Sequence, residues 1–343
     1  MKLTRHKVLI IGCGNIAGGV DVNRAPDLLP LSHAGAYSRH GGFILRACVD
    51  PDNDRRQDFV RSWDVETDAI DVAELGVEPG AFDVISICSP IALHHQHLEQ
   101  ALALRPRVIF CEKPLTSNLA TSRQLVRDCH ASGVTLVINY SRRWDPVLAE
   151  LAMQLENGRW GMVRSIVGHY NKGILNNGGH MVDLLLRLVG PLELVATACV
   201  QFDFCESDPT AAVLLTASKG RVPVYLNPAC AKDFAYFEME IICELGVIRM
   251  HSSGLGWQFR DVVPSSQFEG YRSLGEPKQI EGGYLETMAR AVNEIYTYLQ
   301  DGASIDSRMN ENAIEVQKLS MQIQRAALMK GLPNNKERGM IYE

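Results

Sequence analysis

The first 140 residues alternate short apolar runs with longer amphipathic stretches. Apolar runs of this kind are typical of strands buried on both faces of a sheet, whereas a period near 3.6 is typical of helices. The predicted strands are Val8–Ile11, Phe43–Asp50, Asp83–Pro90, Val108–Cys111 and Thr135–Tyr140. The predicted helices are Ser32–Tyr37, Asp52–Trp63, Leu93–Leu104 and Ser117–Ser132. This alternation predicts a parallel, doubly wound α/β sheet, whose ligands lie outside the carboxyl ends of the strands.

The pattern changes near residue 160, where strand-like runs follow one another and a single helix, Gly179–Val189, interrupts them. The runs are Val163–Tyr170, Leu192–Phe202, Ala211–Ala217, Val222–Leu226, Glu238–Leu245, Val247–His251 and Trp257–Val263. They predict an α+β region with a large, mostly antiparallel open sheet that has one solvated face. Two helices, Tyr284–Leu299 and Asn310–Lys330, end the pattern. Since one core rarely grows beyond about 250–300 residues, the 343 residues predict two domains.

The first apolar run stops at Gly12-x-Gly14-x-x-Ala17, which is the spacing of a dinucleotide-binding turn. Gly12 allows a tight turn out of the strand, Gly14 lets the backbone approach a pyrophosphate, and Ala17 keeps the next segment close to the sheet. The free N–H groups of this turn, at Asn15 and Ile16 among others, can hold a phosphate. A glycine turn that only reverses the chain is the alternative, but its place directly after a buried strand favours dinucleotide binding.

Asp50 ends the second predicted strand, where a carboxylate accepts hydrogen bonds from the hydroxyls of a ribose. Its charge would repel a 2′-phosphate, so we expect NAD. NADP stays open because Arg55 and Arg56 follow closely, although we expect both on a solvated helix face. Asp50 lies 38 residues after Gly12, against about 20 in a simple fingerprint. Loop 18–31 accounts for most of the excess, and it either lies beside the cofactor or is a surface insertion.

Composition narrows the class of protein. The hydrophobic share of 46% and the charged share of 22% are ordinary for a soluble globular protein. The net charge of −6, without a basic block, argues against nucleic acid as a partner. No apolar run approaches the roughly 18 residues of a membrane span, and the N-terminus shows no secretion signal. The nine cysteines include no Cys-x-x-Cys, so we expect free thiols and a cytoplasmic location.

Further motifs follow the predicted strands in order. They are Ser89-Pro90-x-x-Leu93-His94, Glu112-Lys113-Pro114, Asn139-Tyr140-Ser141-Arg142-Arg143-Trp144-Asp145-Pro146 and Gly178-Gly179-His180-x-x-Asp183. With the glycine turn, they resemble the glucose–fructose oxidoreductase, inositol dehydrogenase and MocA (Gfo/Idh/MocA) family, over both halves of the chain. The resemblance implies a Rossmann domain over residues 1–140 and a substrate and oligomerisation domain over residues 141–343, whose terminal helix can pack back on the first domain.

The resemblance also implies the ligands. We expect NAD, or alternatively NADP, a small sugar-like substrate, and a homo-oligomer, dimer or tetramer. The residues expected to bind the cofactor are Gly12, Gly14, Asn15, Ile16, Ala17, Asp50, Ser89, Pro90, His94, Glu112, Lys113 and Asn139.

Lys113 comes just after the four apolar residues of a strand, with Glu112 between them, and so lies at the ligand edge of the sheet. A partly desolvated lysine gives up its proton more easily and can donate to a substrate oxygen. The resemblance implies that Lys113 contacts the reacting hydroxyl or ketone. A structural pairing with Glu112 and a phosphate contact are the alternatives. Pro114 can hold a cis bond that aims Lys113.

His180 begins the single predicted helix of the second half, and Asp183 follows one turn later on the same face. A histidine can act as acid or base near neutral pH, and the resemblance implies that His180 reaches the substrate. The alternative is a structural histidine, in which case Lys113 or Tyr170 would carry the proton. Asp183 either orients His180 or pairs with Arg187.

The substrate contacts have open alternatives as well. Many relatives carry an aspartate four residues before the histidine, but this chain has Asn176, so a relay through that position is in doubt. Asn176, Asn177 and Lys172 can bind sugar hydroxyls. Arg142 and Arg143 suit an anionic sugar, or form a salt bridge between domains. The run His94-His95-x-His97 lacks further ligands nearby, so we expect no metal.

Together these features predict an oxidoreductase that transfers hydride between nicotinamide and a secondary alcohol or ketone of a sugar, cyclitol or nucleotide-sugar derivative. Lys113 and His180 are the predicted catalytic residues. A glycosidase that uses tightly held NAD through transient oxidation is one alternative. A non-catalytic, cofactor-sensing regulator is the other, and the presence of both predicted catalytic residues counts against it.

Overall fold

The structure, a computed structural model, describes residues 5–218, 221–302, 305–306 and 308–331. It divides into two compact units. One runs up to Trp144 and includes Leu285–Ile314, and the other comprises Asp145–Tyr284 and the residues from Glu315 onward. The first holds a parallel Rossmann sheet and the second a large, mostly antiparallel sheet, which confirms the predicted fold class.

The helices and strands are numbered in chain order. The first group is β1 (His6–Ile11), α1 (His33–His40), β2 (Phe43–Val49), α2 (Asn53–Trp63), β3 (Thr67–Ala69), β4 (Val84–Ile87), α3 (Ile91–Ala103), β5 (Val108–Glu112), α4 (Leu119–Ala131) and β6 (Thr135–Asn139). The second group is α5 (Pro146–Glu156), β7 (Val163–Tyr170), α6 (Gly179–Val189), β8 (Leu192–Cys205), β9 (Asp208–Ala217), β10 (Val222–Pro228), β11 (Glu238–Cys243), β12 (Gly246–His251), β13 (Gly256–Pro264), β14 (Arg272–Leu274), β15 (Lys278–Glu281), α7 (Thr287–Asp301) and α8 (Arg308–Gly331).

The sheet of the first unit has the order β3-β2-β1-β4-β5-β6, with parallel pairing throughout. Its strands β1, β4, β5 and β6 are short and mostly buried apolar runs. The sequence did not predict β3, since this edge strand has three residues and two are polar. The strand order places a row of residues along the carboxyl edge: Asp50, Gly12, Ser89, Glu112 and Asn139.

Loop 18–31 separates the glycine turn from α1, and two backbone hydrogen bonds join the turn to the start of this helix. The N–H groups of His33 and Ala34 donate to the carbonyl oxygens of Ile16 and Ala17, at 3.1 and 2.8 Å. The first turn of α1, with Ser32 as its N-cap, is therefore fixed against the glycine turn. This confirms the predicted start of the helix and explains the long spacing between the glycine turn and the end of β2.

Asp21 fixes the inserted loop to the start of α1. Its buried carboxylate accepts hydrogen bonds from the N–H groups of Leu31 and Ser32 and from Ser32 Oγ, at 2.6 to 2.9 Å for Oδ2. Arg24 Nε lies 3.7 Å from Asp21 Oδ1. The loop is thus folded onto the helix by its own polar groups. A contact with a bound cofactor stays a prediction.

Helix α7 contributes its apolar face to the core of the first unit. Met288, Val292 and Ile295 are buried in the same cluster as Tyr37 and Phe43. Polar contacts add to this packing, since Arg107 Nη2 donates to the carbonyl oxygen of Leu299 at 2.8 Å. Residues far along the chain therefore complete the first core.

The sheet of the second unit has the order β14-β13-β12-β11-β7-β10-β9-β8, and β15 pairs with β13. Its pairing is antiparallel except between β7 and β10, so the sheet is mixed. The predicted helix Gly179–Val189 is α6. The sequence analysis missed α5, although the N-cap Asp145 and a proline at the first helical position announce it.

Two further expectations concern the whole chain. Cys13, Cys48, Cys88 and Cys111 are buried free thiols, as expected. In the part of the chain that the structure describes, no helix has both the length and the apolar character to cross a lipid bilayer.

Candidate active site

The glycine turn after β1 fits a pyrophosphate. Gly12 has φ +91°, its N–H donates to the carbonyl oxygen of Val49 at 2.7 Å, and a Cβ there would lie 2.7 Å from the backbone nitrogen of Ser89. A Cβ on Gly14 would meet no heavy atom within 4 Å, so the backbone is open to a ligand. Asn15 beside it is exposed. This turn therefore offers the close access that a pyrophosphate needs.

Asp50 is buried at the end of β2 and already holds the neighbouring backbone. Its Oδ2 accepts from the N–H of Cys13 at 2.8 Å, and its Oδ1 accepts from the N–H of Asp52 at 2.9 Å. Each carboxylate oxygen has a second lone pair, so ribose hydroxyls can also bind. Arg55 Nη1 lies 3.7 Å from Oδ2, on a side chain that is half-exposed. The site thus contains a carboxylate, Asp50, which favours NAD, and a guanidinium, Arg55, which favours NADP.

The expectation that Arg56 lies on a solvated helix face is wrong. Arg56 is buried, its Nε donates to Asp68 Oδ2 at 2.7 Å, and its Nη1 donates to the carbonyl oxygen of Asp50 at 2.7 Å. A guanidinium can reach back from α2 to the strand end because its stem packs while its fork finds acceptors. Arg56 therefore braces the end of β2.

The segment after β4 is held by two histidines. His94 is buried, with one ring nitrogen 2.8 Å from the carbonyl oxygen of Ser89 and the other 3.0 Å from that of Pro114. His97 Nδ1 lies 2.8 Å from Ser89 Oγ, and burial lowers the pKa of His97. Pro90 is exposed just before α3. His94 thus braces the backbone, and its direct contact with a cofactor stays a prediction.

The three neighbouring histidines have separate partners. His95 Nε2 lies 3.2 Å from Glu99 Oε1 on the exposed side of α3, whereas His94 and His97 face the backbone and Ser89. Among the residues that the structure describes, no three histidine, cysteine, aspartate or glutamate side chains group as metal ligands.

Glu112, at the end of β5, is the centre of a buried polar cluster. Its Oε1 lies 2.9 Å from His33 Nε2 and accepts a hydrogen bond of 2.6 Å from Asn139 Nδ2. Burial alone raises the pKa of Glu112, but the hydrogen bonds from His33 and Asn139 and the charges of His33 and Lys113 outweigh it, so the pKa lies below its usual value. Glu112 is therefore an anion at neutral pH.

Lys113 follows as the next residue, half-buried at the carboxyl edge of the sheet. The Lys113–Pro114 peptide bond is cis, as the sequence analysis suggested. The charge of Lys113 is close enough to lower the pKa of Glu112. The lysine thus occupies the expected position beside a fixed carboxylate.

Arg142 and Arg143 are both buried after β6. Arg143 Nη1 donates to the carbonyl oxygen of Met309 at 2.6 Å, and its guanidinium carbon lies 4.8 Å from the ring centre of Tyr140. These contacts give Arg143 a structural place in the first unit. The predicted contacts of both arginines with a substrate stay predictions.

In the second unit, the predicted substrate residues lie on one continuous segment. Lys172 adopts a left-handed conformation with φ 62°. A wide π-helical turn, Gly173–Gly178, follows and carries Asn176 and Asn177, both half-buried. The turn leads directly into α6. Such π-turns are frequent at functional sites.

Two buried carboxylates fix this segment through its backbone. Asp208 accepts from the N–H groups of Leu175 and Asn176, at 2.8 and 3.1 Å. Asp203 Oδ2 accepts from the N–H of Lys172 at 3.1 Å. Both aspartates lie at the β8–β9 hairpin. The hairpin therefore sets the conformation of the segment that carries the asparagines.

His180 is the second residue of α6 and is half-buried, whereas Asp183, one turn later, is 3% exposed. Arg187 is exposed on the same helix. Both roles considered for Asp183 stay open. Tyr170 as a proton carrier is wrong, because it is fully buried, its hydroxyl donates to the carbonyl oxygen of Ala211 at 2.8 Å, and burial raises its pKa.

Comparison with known proteins assigns the first unit. Residues 6–140 match the sequence model of a family described as "Oxidoreductase family, NAD-binding Rossmann fold" (GFO_IDH_MocA). The match lies within the first 140 residues and does not extend into the second unit. This match confirms the resemblance over residues 6–140 and supports an NAD(P)-binding Rossmann domain there.

Individual relatives match over part of their length. The uncharacterized oxidoreductase YrbE of Bacillus subtilis (strain 168) is 31% identical over 129 residues, which are 38% of this chain and 37% of that protein. Myo-inositol 2-dehydrogenase of Thermotoga maritima is 32% identical over 118 residues, 34% of this chain and 35% of the other. The matched stretches thus span well under half of these curated relatives.

Similarity in fold extends further than similarity in sequence. The structure of KijD10, a 3-ketoreductase from Actinomadura kijaniata in complex with NADP and TDP-benzene, superposes with a TM-score of 0.73. The superposition covers 94% of this chain and 98% of that chain at 17% identity. A likeness at this identity shows a common fold over the superposed part of the chain and nothing about the activity.

Sequence reasoning missed three residues that support the motifs of the candidate site. They are His33, which contacts Glu112, and the aspartates Asp203 and Asp208 below the substrate segment. His33 directly follows the N-cap Ser32. The first residue of a helix that follows a strand lies near the carboxyl edge of the sheet, so the position of His33 could have been predicted. The two aspartates interrupt a strand pattern about 30 residues downstream of their partners, and no local spacing reveals that contact.

Proposed function

We propose that the protein is an NAD(P)-dependent oxidoreductase that interconverts a secondary alcohol and a ketone of a sugar, cyclitol or nucleotide-sugar derivative. The observation that carries this proposal is the row of groups on the carboxyl edge of the first sheet. Along that edge, the strand order places Asp50, the Gly12 turn, Ser89, Lys113 and Asn139 in succession. Ribose, pyrophosphate and reactive groups of a dinucleotide need these types of residue in this order.

When bound, the nicotinamide supplies the hydride chemistry. The chain must bind, orient and manage the proton of the substrate hydroxyl. Lys113 polarises the substrate oxygen, because its ammonium is a compact donor beside the Glu112 carboxylate. His180 accepts the proton during oxidation and returns it during reduction. The amide of Asn176 cannot act as an acid or a base, and it serves as a hydrogen-bond partner for sugar hydroxyls.

A substrate panel tests the proposal. Sugars, uronates, inositols and nucleotide sugars are offered with NAD and with NADP, and formation of reduced cofactor is followed by absorbance. Steady turnover with one substrate class supports the proposal. Glycoside cleavage without net cofactor reduction would favour the redox-neutral alternative, and tight cofactor binding without turnover on any class would contradict an enzymatic role.

NAD is expected to bind more tightly than NADP, because the Asp50 carboxylate is fixed at the ribose position and repels a 2′-phosphate. Replacing Asp50 by Asn keeps the shape and removes the charge, so it should narrow the affinity gap by at least about tenfold. Arg55→Ala is the matched control, since Arg55 is the cation beside Asp50, and it should widen the gap. Calorimetric titration measures both. Equal or tighter binding of NADP by the unaltered protein would contradict this preference.

We also propose that the open face of the second sheet joins copies of the chain. Val167, Leu214, Tyr225, Ile242 and Val247 lie on neighbouring strands with their side chains at least partly exposed. An apolar patch of this kind usually meets a partner. Light scattering at micromolar concentration should therefore show a dimer or tetramer. Tyr225→Arg should shift it towards monomer, whereas Phe268→Arg, at an exposed loop residue, should not. A monomeric unaltered protein would contradict the proposal.

A further inference from the structure

Glu112 is held by a chain of buried polar groups that begins on α1. His33 Nε2 lies 2.9 Å from Glu112 Oε1, and His33 Nδ1 lies 3.3 Å from Ser86 Oγ. Tyr37 OH lies 2.9 Å from the same serine oxygen. The imidazole also packs on Phe110, with ring centres 4.4 Å apart. His33, Tyr37 and Ser86 have no exposed surface, so the ring is held on three sides.

We propose that His33 is a positioning residue for Lys113, which it serves by donating a hydrogen bond that keeps the neighbouring Glu112 carboxylate ionised and fixed. This inference rests on the proposed oxidoreductase function. His33 belongs to neither the glycine turn nor the Glu-Lys-Pro motif, and it contacts the catalytic lysine only through the preceding residue. Its backbone is fixed by the hydrogen bond from its N–H to the carbonyl oxygen of Ile16, 3.1 Å long, across loop 18–31.

The hydrogen bond between His33 and Glu112 has a defined donor, because only one of the two groups carries a proton. An ionised carboxylate has acceptors only, so His33 Nε2 carries the proton that lies between it and Glu112. The pKa of Glu112 below its usual value agrees with this assignment. Asn139 Nδ2 donates to the same oxygen at 2.6 Å. Hydrogen bonds to charged groups contribute more than those between neutral groups, so the pair has a large effect on the ionisation of Glu112.

The other groups that face Glu112 determine what happens without His33. Cys88, after β4, and Cys111, on β5, are close to the carboxylate, and burial raises the pKa of both thiols, so both stay neutral. Without His33, the described groups that still favour ionised Glu112 are Lys113 and Asn139, whereas burial favours the protonated form. Loss of the His33 donor should therefore raise the pKa of Glu112 and remove the counter-ion of Lys113 as the pH falls.

Two substitutions of His33 separate positioning from packing. In His33→Gln, the side-chain NH₂ can reach the place of Nε2, so the hydrogen bond to Glu112 is retained. In His33→Asn, the shorter amide reaches only the place of Nδ1, and that hydrogen bond is lost. Ser86→Ala is the matched control, because it removes a buried polar contact of the ring and leaves the one to Glu112.

The pH dependence of kcat/KM is measured for the unaltered protein and these variants in the direction of ketone reduction, because His180 must be protonated in that direction and leaves the acid limb to Glu112. We expect His33→Asn to move the acid limb up by about one to two pH units. Activity then falls at higher pH because Glu112 gains its proton earlier. His33→Gln should restore the midpoint, and Ser86→Ala should leave it unchanged. Equal midpoints in all four proteins, or an equal shift in His33→Gln and His33→Asn, would overturn the proposal.

A second readout does not need turnover. The side-chain carboxyl signal of Glu112 is followed by ¹³C NMR as a function of pH and assigned with Glu112→Gln. It should titrate at higher pH in His33→Asn than in the unaltered protein or in His33→Gln. An unchanged titration overturns the role of His33. If this titration shifts as expected while no substrate of the panel is turned over, the proposed function fails and the interaction of His33 with Glu112 stands.

Discussion

Replacing Lys113 by alanine is expected to lower kcat by at least about 100-fold, while the dissociation constant for NAD changes little. The position of Lys113 explains the expected loss of kcat. Lys113 ends a buried strand at the ligand edge of the sheet, beside a carboxylate that is ionised and fixed by His33 and Asn139. Under the proposed function, this donor acts on the reacting oxygen, whereas we expect cofactor affinity to come mainly from the glycine turn and Asp50.

Lys113→Arg should not restore the rate, because a guanidinium keeps its proton and has a different shape. Lys318→Ala is the control, since Lys318 is a partly exposed lysine of α8 that pairs with Glu315 at 2.9 Å; it should keep full activity. Single-turnover and steady-state kinetics with the substrate found by the panel provide the measurement. A Lys113→Ala variant with near-normal kcat would contradict the proposed role.

The fold of the first unit could be predicted because its signals are local. A buried parallel strand is a short apolar run, and the glycine spacing after β1 identifies the turn without knowledge of any distant contact. The N-cap Ser32 was equally visible. What the sequence could not show was that the first residues of α1 bond back to Ile16 and Ala17 across the loop, since these hydrogen bonds join residues that are distant along the chain.

The candidate site was predictable at its motifs and not at the groups that hold them. Lys113 and Glu112 stand out because they close a strand. The contact between Glu112 and His33 spans 79 positions, and that between Asp208 and Leu175 spans 33, so no spacing rule connects them. Arg56 shows the reverse error, because a charged residue on a helix is usually solvated and this one is buried against the end of β2. Side-chain hydrogen bonds of this kind are set by the tertiary fold.

His180→Ala is the second substitution with a large expected effect: a loss of at least about 100-fold in kcat, with NAD affinity nearly unchanged. Among the groups considered for the proton, Asn176 cannot accept one and Tyr170 is buried with its hydroxyl bound to Ala211. His180 is half-buried at the start of α6, directly after the turn that Asp208 fixes. An imidazole can both accept and donate a proton near neutral pH, as a general acid and base must.

The variant series for His180 includes Gln, which keeps hydrogen bonding and cannot carry the proton, and it should be as slow as Ala. His251→Ala, at a histidine that ends β12, should keep the normal rate. If Lys113 and His180 serve the same proton transfer, the double variant should be about as slow as the slower single variant, because residues that act as a unit are not additive. Losses that multiply would show two independent roles. Near-full turnover of His180→Ala would make the histidine structural and leave the proton to Lys113 alone.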